Sequence, residues 1–366
     1  MNEHELAILR QFCLDAEPAS CTPYGCGHIN RTYLVATAGG RCYILQKINH
    51  HTFRDVAGLM ENIELVTEHL RRKSPDPRSV LTLIRTKDGK SYLEADDGYW
   101  RVFRFVEDSI CLQQPESDAD FYESAVGFGT FQQLLSDFPA EKLHETIPNF
   151  HNTPDRYCAF HETLTRDPMH RAAQVQPEIE FALARQAEMA ALQNALDAGE
   201  LPLRVTHNDT KLNNVLFDAK TRRALCIIDL DTVMPGSALY DYGDSIRFGA
   251  ATAAEDEREL DKMEMSLERF RVFTRGYVRA CPGLTQKELE LLPLGAKVMT
   301  MECGVRFLTD HIDGDNYFSI HREGQNLDRA HTQFKLVADM ERKWDKMKEI
   351  VNEEVQNAKE NGSCCI

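Results

Sequence analysis

Three polar side chains stand at a spacing that could support chemistry. Asp209 lies in the run THNDTKLNN, Asn214 follows five positions later, and Asp229 ends a short apolar run. A phosphoryl-transfer enzyme needs a carboxylate that orients the attacking hydroxyl and accepts its proton. It also needs hard oxygen ligands that hold Mg²⁺ against the phosphates of ATP. The spacing therefore predicts that Asp209 is the catalytic base and that Asn214 and Asp229 bind magnesium.

The residues around this set have ordinary structural explanations as well. Asp231 could be a second acidic group on the same strand face, or it could cap the turn before residues 234–236. His207 is better explained as a hydrogen-bonding support of the loop than as a proton carrier. Asp244 and Arg247 fall in a predicted helix, where a salt bridge between them is the simpler expectation.

Two glycines lie before the first long predicted strand. In the run YGCGHIN, Gly27, His28 and Asn30 could form a turn whose backbone N–H groups approach phosphates. Such a pair of glycines is more often an ordinary turn. We predict a nucleotide-binding loop here because the downstream acidic set accompanies it.

A cation on the phosphates usually comes from a strand lysine that is paired with an acid on a helix. Gln46 and Lys47 in the run CYILQKIN are the candidates, and strand parity leaves open which of them faces the phosphates. Glu64 on the following helix is the candidate acid, although an exposed helix face would explain it as well. We predict that all three belong to the nucleotide site.

Short β-rich runs with tight-turn signals fill residues 33–107, and an amphipathic helix interrupts them at 56–70. This pattern predicts an antiparallel sheet of about five strands in a nucleotide-binding lobe at 1–107. The run FRFVED, residues 103–108, would be the hinge to the next lobe. Backbone groups at Arg104 and Val106 are predicted to read the adenine edge there.

After residue 108 the pattern changes to long helical periodicity. Short β runs at 203–207 and 224–229 end on the acidic and histidine-rich text. A mainly helical lobe at 108–366 is predicted to carry the catalytic and substrate-binding residues, so the fold class is α+β with two lobes. The helical stretches are 118–137, 177–198, 255–278 and 328–359.

The composition limits the partners. With 42 basic and 58 acidic side chains, the net charge of −16 argues against nucleic acid or an anionic membrane. No apolar run approaches a membrane span, and the charged N-terminus lacks a signal-peptide core. The eleven scattered cysteines are best explained as reduced thiols. These features predict a cytoplasmic protein and leave its oligomeric state open.

The sequence resembles the superfamily of aminoglycoside phosphotransferases and choline kinases, whose loop reads HxDxxxxN with a later aspartate at a strand end. The run from His207 to Asn214, followed by Asp229, matches it position for position. The resemblance implies a two-lobed protein-kinase-like fold. The chain departs from protein kinases, because it lacks a glycine after the later aspartate and an APE segment. A small-molecule acceptor is therefore expected.

A closer resemblance is to the N-acetylhexosamine 1-kinases of that superfamily. It is carried by GHINRTYLV, THNDTKLNNVLFD, IIDLDTVMPGSALYDYGDSIRFGA and TMECGVRFLTDHIDGDNYF. It implies transfer of the ATP γ-phosphate, with Mg²⁺, to the anomeric hydroxyl of N-acetylglucosamine or N-acetylgalactosamine. A pyranose needs directional hydrogen bonds and an aromatic surface, so Asp231, Arg306 and Tyr317 are the expected sugar contacts.

Other functions remain open at this point. The acceptor could be another small alcohol, such as choline, ethanolamine, homoserine or an aminoglycoside. From a different class, His207, Asp209, Asp229 and Asp231 could be ligands of a metal-dependent hydrolase, although histidines at ligand spacing are too few. A catalytically silent nucleotide-binding regulator is disfavoured, because Asp209, Asn214 and Asp229 are intact.

Overall fold

A computed structural model describes residues 2–25 and 29–362, without the side chains of 361 and 362. In this part of the chain, six strands form an antiparallel sheet in the order β1-β2-β3-β6-β4, and β5 pairs with β6. The sheet is thus one strand larger than predicted. Its strands are β1 (Pro18–Pro23), β2 (Arg31–Thr37), β3 (Cys42–Ile48), β4 (Leu83–Ile84), β5 (Leu93–Ala95) and β6 (Gly98–Arg104).

The two faces of this sheet pack against different helices. Alternate side chains of β3 point to opposite faces of the sheet. Leu45 packs with the side chains near helix α1 (Glu3–Leu9), and Ile48 packs under helix α2 (Val56–Lys73). Helix α2 begins where the Asp55 side chain accepts the N–H of Gly58 at 2.9 Å. We call this sheet with α1 and α2 the small lobe.

The rest of the described chain forms the large lobe, which is mainly helical. Two small antiparallel sheets, β10-β9-β7 and β11-β8, lie at its boundary with the small lobe. Their strands are β7 (Ser109–Cys111), β8 (Arg204–Thr206), β9 (Val215–Asp218), β10 (Ala224–Ile227) and β11 (Met234–Gly236). The helices are α3 (Asp118–Leu134), α4 (Thr153–Arg166), α5 (Gln176–Leu183), α6 (Gln186–Met189), α7 (Ala191–Asp197), α8 (Ala238–Gly249), α9 (Leu267–Ala280), α10 (Gln286–Asp313), α11 (Gln325–Arg342) and α12 (Trp344–Gly362).

The predicted helical stretches are right in place but not in extent. The stretch 177–198 is three short helices, and 328–359 is two helices that meet at Lys343, whose Nζ turns back to the Asp339 carboxylate at 2.7 Å. The stretch 255–278 begins as a loop, because residues 251 and 265 pair as an isolated bridge before α9 starts. Contacts far apart in sequence decide these boundaries. No helix among the described residues is apolar enough over a sufficient length to cross a membrane.

Helix α10 is the central element of the large lobe and packs against α4, α8 and α11. It begins with a capping box, in which Glu288 also receives a bidentate ion pair from Arg204 of β8, at 2.5 and 2.7 Å. Its crossing with α8 is close, because Gly243 of α8 faces Gly295 of α10. These contacts fix β8 and α8 relative to each other.

Replacing Gly243 with alanine tests this helix crossing. The new Cβ would lie 2.3 Å from the Gly295 carbonyl oxygen and 2.6 Å from Met299 Cγ. We expect a loss of about 1–3 kcal/mol in the free energy of unfolding, because the helices must separate. Urea denaturation measures it. Gly127→Ala in α3 is the matched control, since its nearest contact would be Ala224 Cβ at 3.1 Å. Equal stability of the two variants would contradict the close crossing.

Candidate active site

The loop between β8 and β9 carries the predicted base, and helix α8 accepts hydrogen bonds from the backbone of this loop. The buried Asp241 carboxylate accepts the backbone N–H of His207 at 2.9 Å and of Asn208 at 2.8 Å, and the Gln132 amide donates to it at 2.8 Å. Burial raises the pKa of Asp241 in spite of these hydrogen bonds. Asn208 is left-handed, with φ 65°, so the chain turns sharply just before Asp209.

Asp209 is surrounded by groups that fix its carboxylate. Asn214 Nδ2 donates to its backbone oxygen at 2.8 Å and to its Oδ2 at 3.1 Å, and Lys211 Nζ lies 2.7 Å from its Oδ1. The charge of Asp209 raises the pKa of Lys211, so this lysine is held as a cation. Because Asn214 donates through Nδ2, its Oδ1 is the atom that could ligate a metal. The Asp209 side chain keeps 25% of its surface exposed, which leaves it accessible.

Asp229 lies beside this loop, on the turn after β10. His207 Nε2 lies 2.9 Å from the backbone oxygen of Ile228, and the Ile228 N–H donates to the backbone oxygen of Asn214 at 2.9 Å. The side chain of Asp229 is exposed at the surface, but the surrounding protein atoms displace part of its hydration shell. This desolvation, with the negative charges of Asp231 and Asp209, raises the pKa of Asp229 to about 6. The structure therefore brings Asp209, Asn214 and Asp229 together.

This set of donors suits a divalent cation on a nucleotide. No three His, Cys, Asp or Glu side chains among residues 2–25 and 29–362 converge to hold a metal by themselves. Magnesium on a triphosphate does not need such a group, because phosphates and water supply most of its ligands. An amide oxygen of Asn214 and the carboxylate of Asp229 are hard oxygen donors. A cation there would offset the clustered negative charge that raises the Asp229 pKa.

Asp231, predicted as a sugar contact, is buried at the boundary between the two lobes. It is 3% exposed, and its carboxylate faces the small lobe. Arg101 Nη1 lies 2.6 Å from its Oδ1, and Asn30 Nδ2 donates to its Oδ2 at 2.6 Å. The carboxylate is therefore occupied by side chains of the small lobe.

The residues predicted for the nucleotide site are divided between the two faces of the sheet. Gln46 faces α2 and accepts from Arg101 Nε at 3.0 Å. Lys47 lies on the opposite face, where its Nζ is 2.6 Å from the Asp97 carboxylate and 5.4 Å from the Trp100 ring centre. Glu64 pairs instead with Arg85, at 2.8 Å. The β3 residue that faces α2 at this point is therefore a glutamine, and the neighbouring lysine points to the other face.

The other nucleotide-site predictions fall on the loop and the hinge. Gly27 and His28 lie outside the described residues, and Asn30 contacts Asp231 as described above. In the hinge, Arg104 is exposed, and its backbone N–H donates to the backbone oxygen of Thr82 at 2.8 Å. The oxygen of the buried Val106 accepts the Ser109 hydroxyl at 2.6 Å.

Arg306 and Tyr317, the other two predicted sugar contacts, lie against each other. Arg306 Nη2 is 3.4 Å from the Tyr317 hydroxyl, and its guanidinium lies 5.2–5.7 Å from the ring centres of Phe150, Tyr317 and Phe318. Tyr317 is 64% exposed. Its backbone is fixed by Asp310, whose two oxygens accept the N–H groups of residues 316, 317 and 318 at 2.8–2.9 Å.

His151 connects this aromatic group to the loop between β8 and β9, which we call the catalytic loop because it carries the predicted base. Its Nε2 lies 3.2 Å from the Asn208 oxygen, and its Nδ1 lies 2.8 Å from Glu302, one turn before Arg306 on α10. Burial acts to raise the pKa of Glu302, but the charge and hydrogen bond of His151 outweigh it and lower that pKa. The Glu302–His151 pair thus connects α10 to Asn208, the residue before Asp209.

Sequence reasoning missed three residues of this site. Lys211 follows Asp209 by two positions, and that spacing could have drawn attention to it. Arg101 and His151 gave no such signal, because their partners are 130 and 57 positions away. The predicted salt bridge of Asp244 and Arg247 is confirmed at 2.9 Å, and Asp244 also accepts the Thr210 N–H at 2.9 Å.

Comparisons with known proteins identify the family and the fold of this chain. The sequence model of the APH family, which is described as a phosphotransferase enzyme family, matches residues 20–272 of this chain. A microcompartment-associated aminopropanol kinase matches with a TM-score of 0.59 at 17% identity, covering 94% of this chain and 98% of that one. An amicoumacin kinase, in complex with AMP-PNP, Ca²⁺ and Ami, matches with a TM-score of 0.58 at 14% identity, covering 92% and 93%.

A choline kinase from Cryptosporidium parvum Iowa II matches with a TM-score of 0.58 at 12% identity, covering 96% of this chain and 98% of that one. These likenesses extend over both lobes and confirm the predicted two-lobed, protein-kinase-like α+β fold. The family match includes β8, the catalytic loop and Asp229. The chain therefore belongs to the APH phosphotransferase enzyme family.

Proposed function

We propose that this protein is an ATP-dependent sugar kinase that phosphorylates the anomeric hydroxyl of N-acetylhexosamines to give the sugar 1-phosphate. The observation that carries the phosphotransfer is the Asp209 carboxylate, held between Lys211 and Asn214 and beside Asp229. Membership of a phosphotransferase family supports the same reaction class. The acceptor sugar is supported by the sequence resemblance and by the chemistry of the aromatic group near Arg306.

In this mechanism ATP binds between the lobes with its γ-phosphate toward Asp209. Asp209 takes the proton of the sugar O1 hydroxyl as the O1–P bond forms, the bond between phosphorus and the β,γ-bridging oxygen breaks, and ADP leaves. When bound through Asn214 and Asp229, Mg²⁺ would offset charge on the phosphates. Lys211 adds a fixed positive charge next to the base and is in place to stabilise the transferred group.

The acceptor side suits a pyranose better than a quaternary amine. Phe150, Tyr317 and Phe318 offer an apolar surface, and Arg306 and the Tyr317 hydroxyl offer directional hydrogen bonds. Choline needs an aromatic cage for its cation, but here the rings already surround a guanidinium, which would repel a second positive charge. This arrangement favours a neutral sugar over choline.

Replacing Asp209 with asparagine tests the base. We expect kcat to fall about 10²–10⁴-fold, because asparagine cannot accept the proton, while the Kd for Mg²⁺-ATP stays nearly unchanged. Initial rates and calorimetric titration measure the two quantities. Asp345→Asn, at a residue whose side chain is 86% exposed, is the matched control and should keep wild-type turnover. Near-normal turnover of the Asp209 variant would exclude this residue as the base.

The pKa of Asp229 predicts proton release when the metal–nucleotide complex binds. Since this pKa is raised to about 6, the free protein holds about half a proton on Asp229 at that pH and almost none at about pH 8. A bound cation favours the carboxylate and expels the proton. Titration of Mg²⁺ and AMP-PNP in buffers of different ionisation enthalpy measures this release.

The comparison with Asp229→Asn isolates the proton of Asp229 from protons of the nucleotide. The wild type should release more protons than the variant at about pH 6, and the two should agree at about pH 8. Equal release by both proteins at the lower pH would contradict a metal contact at Asp229.

The acceptor assignment is tested by turnover and by the position of the new phosphate. We expect phosphorylation of N-acetylglucosamine or N-acetylgalactosamine, and phosphorus NMR of the product should show the phosphate on C1. Choline, ethanolamine, homoserine and an aminoglycoside form the comparison panel. Turnover of one of these, without turnover of the N-acetylhexosamines, would overturn the sugar assignment and leave the kinase assignment standing. A phosphate on C6 would overturn the 1-kinase assignment.

A further inference from the structure

Arg101 of β6 is a cation enclosed between the two lobes. It is 1% exposed and is paired in register with Gln46 of β3. Its Nε donates to Gln46 Oε1 at 3.0 Å, and Gln46 Nε2 donates to the Thr32 hydroxyl at 3.1 Å. On the α2 side, Met60 Sδ lies 3.8 Å from its Nη1. Strands β2 and β3 and helix α2 therefore fix the direction of this guanidinium.

The guanidinium points at Asp231, which follows the proposed metal ligand Asp229 by two residues. One Asp231 oxygen lies 2.6 Å from Arg101 Nη1, and the other accepts from Asn30 Nδ2 at 2.6 Å. Asn30 is itself fixed, because its Oδ1 accepts the Asn49 N–H at 2.9 Å. One oxygen of this buried carboxylate is thus in ion-pair contact with the small lobe, and the other accepts a hydrogen bond from it.

The next residue along the chain contacts the catalytic loop. The Thr232 hydroxyl donates to the His207 oxygen at 2.6 Å, and Asn208 Nδ2 donates to the Thr232 oxygen at 2.8 Å. Residues 230–232 form a single 3₁₀ turn, and Asp229 before it is left-handed, with φ 60°. The turn that carries Asp229 is therefore held by the small lobe through Asp231 and by the catalytic loop through Thr232.

Because the ion pair between Arg101 and Asp231 is buried, the loss of either partner would be destabilising. Each partner of a buried ion pair is poorly solvated, so the loss of one leaves the other uncompensated. The acid of α2 that was expected to pair with a strand cation, Glu64, is bound to Arg85 instead. Among the described residues of the small lobe, the buried cation is Arg101 of β6, and it pairs with the large lobe.

We propose that Arg101 is a positioning residue that sets the place of Asp229 by holding Asp231, and so couples the small lobe to the metal site. This inference rests on the proposed role of Asp229 as a magnesium ligand. In this chain the ion pair does across the lobes what a β3 lysine and an α2 acid would do within one lobe. The position of Asp229 then depends on the docking of the two lobes.

The test measures the Mg²⁺ concentration that gives half-maximal velocity at saturating ATP. Arg101→Gln should raise it about 10–100-fold, because an outer contact that orients a metal ligand is lost. Arg101→Lys keeps the charge but cannot reach both Gln46 and Asp231, so a smaller rise is expected. Arg85→Gln is the matched control, since Arg85 is a small-lobe arginine paired within its own lobe, and its Mg²⁺ requirement should stay at the wild-type value.

A double-mutant cycle with Asp231→Asn tests the coupling. The double variant Arg101→Gln with Asp231→Asn should show a smaller rise in Mg²⁺ requirement than the product of the two single rises, because both members of the pair are removed together. Independent, multiplicative effects would overturn the proposal. An increase in the KM for ATP at every Mg²⁺ concentration, with no effect of Asp231→Asn, would show a direct phosphate contact and would also overturn it.

Two further controls keep the outcome decisive. If Arg101→Gln does not fold, as judged by circular dichroism, Arg101→Lys decides the matter, and a Mg²⁺ requirement within about twofold of wild type would overturn the proposal. A wild-type protein with no Mg²⁺-dependent turnover would instead refute the proposed function. A wild-type requirement for Mg²⁺ that Arg101→Gln leaves unchanged refutes only the role of Arg101.

Discussion

The geometry of the candidate site depends on the carboxylate of Asp241, which is buried under the catalytic loop. Two successive backbone N–H groups of that loop end on it, and a buried N–H without an acceptor would cost free energy. The left-handed conformation of Asn208 is kept at this point because the hydrogen bonds on both sides hold it. Helix α8 carries Asp241 and is itself fixed by its close crossing with α10. The place of Asp209, the proposed base, thus follows from helix packing.

The acidic groups around the loop differ in what they contact, and this separates their roles. Asp241 receives backbone N–H groups, Asp244 pairs with Arg247, and Asp231 is held by the small lobe. For Asp244, burial acts to raise the pKa, but the charges of Arg247 and Lys211 lower it. Asp229 differs from these, because carboxylates are its strongest charged neighbours. Asp229 is therefore the acid of this group whose charge the proposed cation would offset, whereas the other three carboxylates already have partners within the protein.

What could be predicted from the sequence is what depends on local spacing. The loop from His207 to Asn214 and the strand end at Asp229 are short-range patterns, and the α+β fold follows from the periodicity of its elements. The faces of β3 could not be assigned, because a strand of alternating partly buried residues does not state which helix covers which face. The partners of Arg101 and His151 lie in other elements, so only the folded chain brings them together. The helix ends near residues 255–266 and at Lys343 also depend on distant contacts.

The aromatic side of the site is built largely from its own short segment. Asp310, at the end of α10, receives three successive backbone N–H groups and so holds residues 316–318 without using the catalytic loop. Side chains in this segment can change while the carboxylate that folds it stays in place. With the acceptor bound as proposed, acceptor preference and phosphate chemistry would be separable properties of the fold. On this proposal, a lineage with this architecture could exchange one acceptor for another through few substitutions and keep its phosphotransfer centre intact.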